Sequence, residues 1–86
     1  MYLIINYDVK DKRCVKLMKF LRRFLYHLQE SVFVGEATEK TYKMIVKGIE
    51  SITDKQYDKV IIYKMRSAKV FKIETLGKQK WIENII

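Results

Sequence analysis

Residues 2–8 read YLIINYD. A short run of aliphatic and aromatic residues closing on turn-prone polar ones is a strand. One face carries Leu3, Ile5 and Tyr7, the other Tyr2, Ile4, Asn6 and Asp8. Both faces begin apolar, so both must be shielded from water. The chain has only 86 residues in which to do it. That length provides one domain and one modest core.

The remaining segments supply cover for one face. Asp11 to Leu25 has Cys14, Leu17, Met18, Leu21, Phe24 and Leu25 at helical spacing, a core-facing stripe. Asp11 is the expected N-cap. His27 to Glu36 is extended, either one bent strand or two short ones meeting near Ser31. Thr38 is placed to cap a second helix, Glu39 to Ser51, with Tyr42, Ile45, Val46 and Ile49 as its apolar stripe. Gly48 inside that helix costs about 1 kcal/mol relative to Ala. Lys59 to Met65 and Val70 to Thr75 read as further strands. The order predicts an α+β sandwich, an antiparallel sheet with two helices on one face. The ferredoxin-like split βαβ arrangement follows if the Gln29 region supplies two strands. Only the apolar tail, Trp81 to Ile86, is then left for the second face. Self-association is the economical way to cover it. The chain therefore divides into a domain over 1–78 and a dimer-docking tail over 79–86.

Composition excludes several classes. One cysteine and one histidine rule out a disulfide framework and a Cys/His zinc finger. No apolar run exceeds Met1–Ile5, against the roughly 20 residues that span a bilayer. The chain opens directly into a strand, so no signal peptide, no membrane partner and a cytoplasmic location are expected. Net charge is +8, a balance that suits polyanionic partners. The charge is also segregated. Lys10 to Arg23 holds seven basic residues and one acid, and Lys59 to Lys80 again seven and one. Between them, residues 36–58 are nearly balanced. Lys12, Lys16, Lys19 and Arg23 recur on the solvent side of the first helix. Arg22 and Arg23 also sit where the helix dipole favours cations.

Few residues offer chemistry. There is no glycine-rich phosphate loop. Cys14 falls on the apolar stripe and reads as a core residue. His27, at a helix–strand junction, reads as a hydrogen-bonded structural residue. Asp8 ends a hydrophobic strand on the face that the helices leave open. The pattern fits a turn or capping aspartate, and it also fits a cation ligand. One carboxylate cannot hold Mg²⁺, which takes six oxygens. A two-fold dimer brings two copies of Asp8 to one axis, where waters or phosphate oxygens complete the shell. Such a metal polarises a phosphodiester and activates water.

MYLIINYD, the basic helix segment KFLRRFL and LQESVFVGEAT match, in order and spacing, a known pattern over Met1 to Thr38. They resemble the "Cas-two" family of small CRISPR-associated endoribonucleases, partners of the CRISPR spacer integrase. The Ile61–Met65 strand and Thr75–Gly77 agree with it too. The resemblance implies a ferredoxin-like homodimer whose extra C-terminal strand crosses to the partner. It also implies a Mg²⁺-dependent endonuclease (Mn²⁺ possible) acting on single-stranded RNA or double-stranded DNA. The family further implies the dimeric core of the spacer-acquisition complex. Asp8 would be the metal-binding acid, and Tyr7, Ser31 and Phe33 the other catalytic positions. Lys10, Lys12, Arg13, Lys16, Arg22 and Arg23 would bind nucleic acid. Val34, Ala37 and His27 depart from the family's usual residues. The alternative is a non-catalytic architectural dimer that holds duplex DNA for the integrase through its basic rims.

Overall fold

The computed structural model describes residues 1–70 and 72–77. Strand β1 (Tyr2–Asp8) leads to helix α1 (Asp11–Leu21), then β2 (Tyr26–Gln29), β3 (Val32–Glu36), helix α2 (Glu39–Ile52) and β4 (Lys59–Met65). The sheet order is β2-β3-β1-β4, and every neighbouring pair is antiparallel. This is the split βαβ, ferredoxin-like order, with the most apolar strand at the centre. The 27–36 segment is two strands, with a turn at Glu30 and Ser31 and a register shift between His27 and Gln29.

Both helices pack on the face of β1 that shows Leu3, Ile5 and Tyr7. Phe33, Leu17, Leu21, Ile45 and Ile49 complete that core. Leu3, Ile5, Leu17, Leu21, Phe33 and Ile45 are fully buried, each such side chain contributing about 1.5–3 kcal/mol. Register assigns the opposite face: Tyr2, Ile4, Asn6 and Asp8 lie beside Val32, Val34 and Glu36 on one side and Lys59, Ile61, Tyr63 and Met65 on the other. No helix among the described residues is long and apolar enough to cross a membrane.

The helix ends differ from expectation in physically readable ways. α1 stops at Leu21, not Leu25, because the chain tightens: the N–H groups of Phe24 and Leu25 both bond the Leu21 carbonyl, at 3.0 and 2.9 Å. Leu25 stays buried nonetheless, so the apolar stripe outlasts the helix. Asp11 is not the N-cap. Lys10 holds that position with no side-chain bond, and Asp11 is the first helical residue at φ 50°, a left-handed conformation that Asp tolerates better than most. Thr38 does cap α2, its Oγ1 accepting from the Thr41 N–H at 3.1 Å. Gly48 is explained by packing, since a Cβ there would overlap the Phe20 ring.

The strand expected over Val70–Thr75 is not formed. Ala68–Val70 make a 3₁₀ turn and residues 72–76 have no regular structure. A strand needs a neighbouring edge to receive its backbone groups, and no pairing partner exists for 72–76 among the described residues. The dimer-docking tail expected over 79–86 lies outside the described residues.

Candidate active site

Asp8 is the last residue of the central strand and is exposed on the face away from the helices. Its Cα partner across the ladder is Lys59, the first residue of β4; Asn6 pairs with Ile61 on the same face. Asn6, Tyr7, Asp8, Lys59 and Ile61 line a shallow depression of about 230 Å³. Its lining therefore combines an acidic, an amide-bearing and a basic residue with Tyr7 and Ile61. No group of three His, Cys, Asp or Glu stands ready for a metal ion among the described residues. Asp8 and Asn6 offer oxygen donors of the kind Mg²⁺ takes.

The loop before β4 is fastened to the start of α1 by one carboxylate. Asp58 accepts from Arg13 Nε at 2.6 Å and Nη2 at 3.1 Å, and from the backbone N–H groups of Lys10 at 3.1 Å and Asp54 at 2.8 Å. Its side chain is fully enclosed. The Arg13 hydrogen bond, ahead of the backbone bonds, holds the Asp58 carboxyl well below the usual carboxylate range. The same bond raises Arg13. The chain on either side of the Asp8–Lys59 pair is thus tied down.

Tyr7 and Phe33 turn their rings away from the face that carries Asp8, while Ser31 lies beside the end of β1. Tyr7 and Phe33 are core residues on the helix side, with ring centroids 6.2 Å apart. The sheet separates their rings from Asp8, because consecutive residues point to opposite faces. Burial raises the Tyr7 phenol. Its hydroxyl donates to the Glu30 carbonyl at 3.2 Å, and its N–H donates to the Ser31 carbonyl at 3.0 Å. His27 Nε2 lies 2.9 Å from that same Glu30 oxygen, a contact that needs the proton on Nε2. Its ring stacks on Phe33 at 4.4 Å. Together these residues dock the β2–β3 turn beside the end of β1. His27 is the structural residue its position suggested.

Of the basic residues, Lys10, Lys12, Lys16, Arg22 and Arg23 are exposed. Arg13 is spent largely on Asp58. Three residues escape a reading of the sequence alone. Lys59 and Asn6 are legible in principle: two seven-residue strands in full antiparallel register put Asp8 opposite Lys59. Asp58 is not, since no sequence spacing announces a partner 45 residues away. α2 adds a row of exposed lysines, Lys40, Lys43 and Lys47.

Residues 1–73 match the profile of the family described as CRISPR associated protein Cas2. The chain is 46% identical over 87 aligned positions to the CRISPR-associated endoribonuclease Cas2 of Pyrococcus furiosus, covering all of both chains. It is 38% identical over 86 residues to the protein of that name from Thermotoga maritima, covering 100% of this chain and 99% of the relative. A crystal structure titled as cas2 superposes with a TM-score of 0.87 at 29% identity, over 100% of this chain and 97% of that one. Streptococcus pyogenes Cas2 gives 0.80 at 25% identity, over 90% and 100%.

Proposed function

The chain belongs to the Cas2 family of CRISPR-associated proteins, and from that membership we propose that it is a metal-dependent endoribonuclease whose site two protomers build around Asp8. The observation that carries this reading is the placement of Asp8. It is exposed at the end of the central strand, on the face free of helices, and no group of three His, Cys, Asp or Glu surrounds it among the described residues. A two-fold axis near Asp8 supplies the second carboxylate. Apolar residues on the same open face, Ile4, Ile61 and Met65 among them, give two copies a reason to meet. The segment expected as a strand over Val70–Thr75, whose residues 72–75 pair with no strand among the described residues, would add to the partner's sheet.

Asp8 of each protomer would hold Mg²⁺ or Mn²⁺ through its carboxylate oxygens. When bound, the ion would polarise the phosphodiester and lower the pKa of its water. The chain's own contribution is positional. The sheet and the Asp58 anchorage fix the Asp8 backbone, and the exposed α1 cations attract the phosphate chain. Duplex DNA is a second substrate on the same grounds.

A second reading has its own support. Lys12, Lys16 and Lys19 on α1 and Arg23 in the turn after it are all exposed, independent of Asp8. Such a rim suits an architectural dimer that holds duplex DNA for a spacer integrase, with phosphate contacts and little base preference. The test is cleavage of single-stranded RNA by wild type and Asp8→Asn in parallel, with and without EDTA. The proposal expects activity to fall at least ~100-fold in Asp8→Asn and in EDTA, with duplex binding and dimer mass retained. Equal cleavage by both proteins would remove Asp8 from the chemistry. No cleavage by wild type, with duplex binding intact, would leave the architectural reading.

A further inference from the structure

A carboxylate at the mouth of a phosphodiester site repels the substrate it serves. The depression around Asp8 contains the group that relieves this. Lys59 is directly across the ladder from Asp8, on the same face, so their Cβ atoms are about 4.5–5.5 Å apart. The two side chains nevertheless form no ion pair; among the described residues the lysine is not closed onto the aspartate. Asp8 and Lys59 both line the same depression, with the neighbouring pair Asn6 on β1 and Ile61 on β4.

We propose that Lys59 is a phosphate-binding residue of this site, its ammonium holding a non-bridging oxygen of the phosphodiester presented to Asp8. This rests on the reading that Asp8 serves phosphodiester cleavage. Three further observations support it. The depression, at about 230 Å³, is below the roughly 300–1,000 Å³ of pockets that enclose whole small molecules. It has room for a phosphate. Lys59 is also exposed, while the residue before it, Asp58, is anchored by its enclosed carboxylate, which accepts four hydrogen bonds. Its backbone is thus placed in advance, which lowers the entropic cost of binding. Lastly, β4 discriminates between its lysines. Lys64 is on the helix side, its ammonium 4.4 Å from the Tyr42 ring centroid, whereas Lys59 faces the depression.

The experiment compares Lys59→Met, Lys59→Arg and Lys64→Met with wild type and Asp8→Asn. Lys64→Met removes the same charge from the other face of the same strand. Two readouts are taken: kcat and KM for single-stranded RNA with Mg²⁺, and RNA affinity against salt in EDTA. Lys59→Met is expected to lower kcat/KM about 10- to 100-fold. In EDTA it should flatten the slope of log affinity against log salt by about 0.7 for each phosphate no longer neutralised. Lys59→Arg should restore both, and Lys64→Met should match wild type. Lys59→Met with wild-type kcat/KM and salt slope, beside an inactive Asp8→Asn, overturns the assignment and spares the Asp8 reading. An active Asp8→Asn overturns the Asp8 reading instead, and the metal-free binding series still decides whether Lys59 holds phosphate.

Discussion

Asp58 shows how one residue can matter to a site without touching it. Its enclosed carboxylate ties Arg13, Lys10 and Asp54 together immediately before Lys59. The fold depresses its pKa through the Arg13 bond. A depressed carboxylate contributes stability that is fully present above the unfolded-state pKa of about 3.9, and that fades as pH falls toward the folded value. Wild type should therefore lose resistance to urea as pH drops below about 4. Asp58→Asn should start less stable at neutral pH and show a flatter profile across the same acid range. Urea midpoints by circular dichroism between neutral pH and about pH 2 check this. Parallel profiles for the two proteins would mean that the Arg13–Asp58 pair is energetically idle. Arg13 also illustrates why a basic residue in a basic helix is not automatically a phosphate ligand, since here its donors have an internal acceptor.

Among the elements, the meeting of α1 and α2 turns on Gly48. Alanine there would gain about 1 kcal/mol of helix propensity, but its Cβ would overlap the Phe20 ring, which packs edge-on against Phe24 at 5.2 Å. Overpacking of this kind costs about 1–3 kcal/mol, so Gly48→Ala should destabilise the protein. In a Phe20→Ala background the obstruction is gone, and Gly48→Ala should become stabilising by about 1 kcal/mol. A double-mutant cycle in urea reads the change of sign; the same sign in both backgrounds would count against this packing. The strands were the most legible elements. β1 and β4 run over the residues their alternation predicts, because a two-residue period with β-branched side chains leaves little latitude. The cap of α2 was equally plain, since Thr38 satisfies its own helix locally. The end of α1 and the fate of residues 70–75 were not. The first depends on a turn that keeps Leu25 buried after the helix has stopped. The second lies in residues 72–76, which pair with no strand among the described residues although β2 and β4 both keep an outer edge. The site was half legible. Asp8 stood out as a carboxylate ending an apolar strand. The placement of Tyr7 and Phe33 behind the sheet follows from parity, which a motif does not display.

Among the described residues the helices cover one face of the sheet; on the other Tyr2 and Val34 are buried, Ile4, Ile61 and Met65 are half-buried, and Asn6, Asp8 and Lys59 form an exposed polar end. Closed two-fold pairing is the commonest way for a small protein to bury such a surface. It would also give the lone carboxylate its companion. These two needs, apolar cover and a second Asp8, are independent of one another, and a single symmetry operation would answer both. On this reading one site requires Asp8 from both protomers. Co-refolding wild type with Asp8→Asn in varied ratio, and confirming dimer mass by light scattering, measures this directly. If both carboxylates are needed, activity follows the square of the wild-type fraction, so an equal mixture keeps about a quarter of wild-type activity. A linear fall, with about half retained at equal mixing, would show that each Asp8 works alone and would contradict the shared site.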